Sequence, residues 1–258
     1  MKKITLVVVL IASTLIMNAQ EFKVGMGGGI YSTWLVNKNV SDQGDDLDFA
    51  ATFGGQIGLN MQYYFKDNLG LNFGLLFTGH NQKYTGDYGT TPSSGFEAKT
   101  KMRYLDIPFL LRMGGGAKGA YFEFGPQFGL LMSAQDEYTA EPTNPYLPNW
   151  SGIDRKDDFK GSNIAFVLGF GVDIDASENV LITTGLRLGY GLGDVTKEYK
   201  EAEVELKSST FPPAIGASTY WAHIKQGDSG GDTFKYASTA RAFGGLFVSV
   251  LFKIPSKK

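Results

Sequence analysis

Two histidines, His80 and His223, are the residues best suited to general acid or base work near neutral pH. A hydrolytic site on either would need a nucleophile and an orienting acid within reach. His80 sits in Thr78-Gly79-His80-Asn81-Gln82, which offers no serine beside it, and His223 has Asp228 and Ser229 downstream in a long connection. Ordinary hydrogen-bonding roles are therefore expected for both, with no catalytic activity and no cofactor. The chain has 258 residues and no cysteine, so disulfides and thiolate metal sites are excluded. Asp42, Asp45, Asp46 and Asp48 cluster, but they lack the glycine and distal glutamate of a calcium loop and are expected to be a solvated acidic segment. Gly27-Gly28-Gly29 and Gly114-Gly115-Gly116 do not match phosphate-binding loops.

The elements that carry these residues follow from a period of two. From Phe49 to Phe65 the odd positions hold Phe49, Phe53, Ile57, Leu59, Met61, Tyr63 and Phe65, while the even ones are mostly glycine, Thr, Asn and Gln. A helix cannot keep such a separation, whereas a strand with one apolar face does. Ser162 to Ala176 repeats it, with Ile164, Phe166, Leu168, Phe170, Val172 and Ile174 on one face. Six further segments alternate likewise: Phe22 to Val36, Leu69 to Tyr84, Lys99 to Met113, Gly119 to Ser133, Glu178 to Leu192 and Tyr236 to Ile254. The polar phase is rich in small residues rather than in Lys and Glu, which suits the crowded interior of a narrow barrel with the bulky phase facing lipid. Ile164 to Ile174 spans roughly 36 Å of strand, or about 25 Å of height at a 45° tilt, the depth of an outer-membrane apolar band.

Connection lengths alternate as well. Short turns surround Lys66-Asp67-Asn68, Gly114 to Lys118 and Asp175-Ala176-Ser177; long connections run from Asn37 to Asp48, Gly86 to Ala98, Ala134 to Lys160 and Asp194 to Lys235. The expected fold is an all-β, eight-stranded antiparallel up-and-down transmembrane β-barrel with short periplasmic turns and long extracellular loops, in the cell outer membrane and monomeric. Lys2 and Lys3 precede the apolar run Ile4 to Met17, which ends at Asn18-Ala19. That pattern predicts a signal peptide over 1–19 and a barrel domain over 20–258. Without the leader, 22 basic and 26 acidic residues remain, so no nucleic-acid partner is expected.

Tyr104-Leu105-Asp106-Ile107-Pro108-Phe109-Leu110-Leu111-Arg112, then a glycine turn, then Phe124-Gly125-Pro126-Gln127-Phe128-Gly129, resembles the fourth and fifth strands of the PorT-like outer-membrane β-barrel family of Bacteroidetes. The resemblance covers the mature chain in strand count and connection order and these two strands in motif. It implies an outer-membrane barrel. The member that names the family is tied to the type IX secretion apparatus, so the implied partner is a secretion-machinery or other envelope protein. The chain departs from a common outer-membrane ending, since Phe252 is followed by Lys253-Ile254-Pro255-Ser256-Lys257-Lys258.

Strand phase also places the charges. Lys23, Asp106, Arg112, Glu123, Asp173, Asp175, Arg187, Arg241 and Lys253 are predicted to face the lumen, with Arg112 and Glu123 paired across the turn that joins their strands. A narrow barrel makes this a lumenal charge network of Asp106, Arg112, Glu123, Asp173, Arg187 and Arg241, a packed polar plug rather than an ion path. Lys83, Lys99, Lys101 and Arg103 are predicted to face outward above the apolar band, where outer-membrane lipid and lipopolysaccharide phosphates would meet them. The four long connections together carry a charge of −10. The later two are rich in aromatics, among them Tyr138, Tyr146, Trp150, Phe211, Tyr220 and Trp221, which would either form a partner-binding surface or pack on one another over the barrel mouth. The sequence thus reads as a barrel with a plugged lumen, acting through its extracellular loops or envelope-protein contacts. A narrow porin-like channel and a lipid-modifying enzyme are the alternatives.

Overall fold

The computed structural model of the protein describes residues 21–43, 47–87, 95–114, 119–141, 149–225 and 233–254. The expected signal peptide, Asp45, Asp46, Tyr146, Asp228 and Ser229 lie outside the described residues.

Eight long strands form a closed antiparallel ring. They are β1 (Glu21–Asn37), β2 (Phe53–Lys66), β3 (Leu69–Asp87), β4 (Gly95–Gly114), β5 (Gly119–Glu141), β6 (Ser162–Ser177), β7 (Val180–Gly191) and β8 (Thr239–Ile254). Each pairs with its neighbours in chain order, and β8 returns to β1 from Phe22↔Ile254 to Asn37↔Thr239. Closure leaves none of the eight long strands at an open edge of the ring. Alternation sends Ile57, Phe77, Phe109, Leu168, Phe170, Leu186 and Val248 outward, where all are exposed. So continuous an apolar surface belongs in lipid rather than water. No described helix is long and apolar enough to cross a membrane.

The structure departs from the sequence reading in three places, the first two at local interruptions of the ladder. The segment from Phe49 is not one strand. A short strand, Leu47–Ala50, pairs with Lys83–Gly86 of β3, and β2 begins only at Phe53. Above Gln56↔Thr78 the β2–β3 ladder stops. There Thr33 of β1 reaches β3 directly, its Oγ1 donating to Asn81 O at 2.7 Å and accepting from Asn81 N at 3.0 Å.

The second departure is a β-bulge. Arg103 pairs with Ser133 but Tyr104 with Leu131, so Met132 is the extra residue. The bulge switches the phase of β5. Even positions face out up to Met132, and from there Ala134, Asp136, Tyr138 and Ala140 are the buried ones. Much of the expected third loop is therefore strand, completed by Trp150–Asp154 pairing on β5. Similarly β3 and β4 continue pairing out to Asp87↔Gly95, into both ends of the expected second loop.

Third, the last long connection is folded. Helices α2 (Glu201–Ser208) and α3 (Ala217–His223), with α1 (Lys38–Ser41) after β1, form a cap over the mouth. Buried Val40, Leu47, Tyr84, Ala98, Tyr138 and Ala140 are its core, against which Trp150 and Trp221 pack.

Candidate functional site

Inside the barrel the predicted charges form two groups rather than one network. In the group nearer the short turns, Arg112 donates from Nη1 to Glu123 Oε2 at 3.2 Å, from Nη2 to Asp173 Oδ1 at 2.6 Å and from Nε to the Tyr64 hydroxyl at 2.8 Å. Arg187 Nε donates to the other Glu123 oxygen at 2.7 Å. Asn72 donates to Glu123 Oε2 and Thr183 to Asp173 Oδ1, each at 2.7 Å, while the second Asp173 oxygen is buried without a hydrogen-bond partner among the described residues. The guanidinium of Arg112 lies 3.4 Å from the Tyr121 ring centroid, and that of Arg187 lies 3.7 Å from that of Phe247. Two cations thus meet two anions. Glycine makes the space: a Cβ at Gly169 would stand 2.7 Å from Glu123 Cγ.

The second group, nearer the mouth, is Asp106, Arg241 and His80. Arg241 Nη2 donates to Asp106 Oδ1 at 3.0 Å, and His80 Nε2 lies 3.3 Å from Asp106 Oδ2. The Arg241 guanidinium lies over the Tyr104 ring at 4.4 Å. Near the short turns, Lys23 pairs with Glu21 at 3.0 Å and Lys253 with Asp175 at 2.9 Å. Asp106, Arg112, Glu123 and Arg241 are wholly inaccessible, as are Tyr64, Tyr104 and Phe247 to within about a per cent. All eight strands contribute buried side chains to this interior, from Lys23 and Tyr31 of β1 to Phe247 and Leu251 of β8. Burying these charges is tolerable because each sits against an opposite charge.

Outside, the four cations expected to act together are divided. Lys83 pairs with Glu97, and Lys101 with Glu137. Glu97 continues the outward phase of β4, which runs further than expected, whereas Glu137 reaches the outer face of β5 only because the bulge at Met132 has switched the phase. Lys99 and Arg103 have no carboxylate partner among the described residues.

The cap is fixed by residues that sequence reasoning did not single out. Asp136 of β5 accepts from Thr100 Oγ1 at 2.7 Å and from Ala217 N at 2.8 Å, and Asp158 accepts from Gly216 N at 2.7 Å. Two remote carboxylates therefore satisfy the first backbone donors of α3, whose own N-terminal residue, Gly216, has no side chain to cap with. Burial raises the Asp136 carboxyl to about 6 against those bonds and the nearby Arg155, while Asp158 raises it further. Asn39 Nδ2 holds the cap from the other side, donating to Ala222 O at 3.0 Å and Lys235 O at 2.7 Å. His223 Nε2 accepts from Tyr199 N at 2.8 Å, and Nδ1 lies 2.7 Å from Thr219 O. Both ring nitrogens are thus engaged by backbone groups, and burial lowers the pKa of the ring so that it stays neutral.

Above this frame the aromatics partly pack on one another and partly line a cavity. Trp150 stacks on Tyr138 with centroids 4.4 Å apart, and Phe211 meets Trp150 edge-on. Phe96, Tyr138, Trp150, Tyr220 and Trp221 border a cavity of about 300 Å³. No group of described residues is arranged to hold a metal ion.

Residues 18–197 match the model of the family described as outer membrane protein beta-barrel domain. The chain belongs to this family. The family places the protein in the outer membrane. No curated protein is significantly similar in sequence. Among solved structures the chain is similar to Neisserial surface protein A (12% identity, TM-score 0.37, covering 90% of this chain and 97% of that one). It is likewise similar to the outer membrane protein OprG from Pseudomonas aeruginosa (11%, TM-score 0.35, 93% and 98%) and the outer membrane protease OmpT from Escherichia coli (9%, TM-score 0.31, 90% and 94%).

Proposed function

We propose that this member of the family is a plugged barrel that presents a surface-exposed binding cap to another envelope or cell-surface molecule, and that it is neither a channel nor an enzyme. The observation that carries this reading is the contrast between the two ends of the interior. The lumen is filled by buried side chains from every strand, with its charges paired, whereas the cap uses buried carboxylates to fix a helix that borders an aromatic-lined cavity. Interfaces favour Tyr and Trp of the kind gathered there. The engagement of both His223 nitrogens with backbone groups, and the burial of His80 against Asp106 and Tyr104, support structural roles for the histidines. The PorT-like motifs at Tyr104–Arg112 and Phe124–Gly129 support a secretion-machinery protein as the class of partner, and the leader at 1–19 supports export by cleavage near Ala19.

A photoreactive residue at Phe211, on the exposed rim of the cavity, tests this in living cells. One discrete adduct is expected from Phe211, absent when the probe sits at Ile57 on the lipid-facing wall and lost on Trp150→Ala. Adducts from both positions, or from neither, would remove the support for a binding cap.

A further inference from the structure

The lipid-facing wall carries a depression where two ladder irregularities converge. It has a volume of about 680 Å³ and is bordered by Ile30, Phe53, Phe77 and Met132, all more than half exposed, with Gly55 and Gly79 as floor. On one side β2 has parted from β3 above Gln56↔Thr78, and on the other the bulge pushes Met132 out of the β5 ladder. A regular barrel wall would be filled here by alternating side chains.

Arg103 enters the depression from β4. A Cβ on Gly79 would lie 2.8 Å from Arg103 Nη1 and 3.5 Å from its Cζ, so the guanidinium occupies the space the glycine of the neighbouring strand leaves free. Its one hydrogen bond among the described residues runs from Nη1 to Met102 O at 3.3 Å, which leaves other donors of the fork available. Lys99, two outward positions nearer the cap, also lacks a carboxylate partner among the described residues. Apolar walls, a floor without side chains and a cation at the upper rim match an acyl chain that ends in an anionic headgroup. Guanidinium recognises phosphate by paired hydrogen bonds.

We propose that this groove is a specific site for the lipid A part of lipopolysaccharide, one acyl chain lying over Gly55 and Gly79 and one phosphate on Arg103. The occupant is a lipid because the groove opens on the membrane-facing surface, and it is the outer-leaflet lipid because the groove lies toward the cap end of the strands. Contact with lipid by this route uses Arg103 and Lys99 and does not use Lys83 or Lys101, whose charges are held by Glu97 and Glu137. The site is independent of the cap.

Gly55 supplies a clean test. A Cβ there would meet only Gly29 O at 3.7 Å, ordinary contact, so Gly55→Leu fills the groove without straining the wall. Arg103→Ala removes the cation at an exposed position and leaves the ladder intact. Full-length protein refolded in detergent is titrated with lipid A and, separately, with phosphatidylglycerol, and bound lipid is counted by native mass spectrometry. Wild type and Lys83→Ala are expected to hold one lipid A, with at least tenfold weaker binding in Arg103→Ala and in Gly55→Leu and no comparable retention of phosphatidylglycerol. Heat-modifiable gel mobility verifies that each variant is folded, and if Gly55→Leu is not, Arg103→Ala alone decides. Equal lipid A binding in wild type and Arg103→Ala, or equal binding of both lipids by wild type, would overturn the proposal.

Discussion

Replacing Glu123 by alanine probes the plug at its most connected point. Glu123 is the sole carboxylate within ion-pair distance of Arg187 among the described residues, at 2.7 Å, and it shares Arg112 with Asp173. Arg112 therefore keeps one anion in the variant while Arg187 keeps none, its guanidinium against the Phe247 ring and almost wholly buried. Breaking a buried pair by removing one partner costs about 3–5 kcal/mol, chiefly the charge left behind. Urea unfolding in lipid vesicles, followed by tryptophan fluorescence, is expected to show a loss of that size for Glu123→Ala and a smaller one for Glu123→Gln, which keeps an acceptor for Arg187. The double variant Glu123→Ala/Arg187→Ala is expected to be more stable than the sum of its singles by about 2 kcal/mol or more, because it leaves no orphaned charge. A loss under about 1 kcal/mol with additive singles would mean that water screens these charges, and the packed-plug reasoning would fail.

Further expectations follow from the same structure. The Asp136 carboxyl is raised in the folded state, so its ionisation opposes folding: its contribution is fully present below about 4 and is lost as pH rises through about 6, a difference of about 3 kcal/mol. Protease resistance of the cap should fall over that interval and become flat in Asp136→Asn. Thr33→Val removes both bonds that tie β1 to Asn81 and is expected to cost about 1–3 kcal/mol in the same urea assay. A Cβ at Gly185 would stand 2.4 Å from Phe170 O and 2.6 Å from the Tyr121 hydroxyl, so Gly185→Val should abolish the heat-modifiable folded band.

Strand number, order and facing were legible because each spanning segment keeps one apolar phase from turn to turn. Ile164 through Ile174 do so without interruption, and the structure pairs them as expected. Legibility ends where phase ends. The bulge at Met132 exchanges inside and outside on β5, so Asp136 and Tyr138 read as loop residues although they are buried strand positions. Local pattern also could not show that α3 is held by Asp136 and Asp158, which approach its N-terminus from 81 and 58 residues away in sequence. The inward charges were recoverable from phase, but their division into two groups depends on strand stagger around the ring. For the outward lysines the information was half in view: Glu97 continues the outward face of β4, but Glu137 is turned outward only by the bulge at Met132, which the alternation does not show.

The proposed role requires a lumen closed by its own side chains beneath the cap. Single-channel recording of the refolded protein in planar bilayers addresses that most directly. Protein insertion verified by protease protection should give no stepwise conductance in wild type at either polarity. Steady ion-conducting steps in wild type that change with Arg112, Glu123 or Arg187 substitutions would contradict it and make the lumen the functional path.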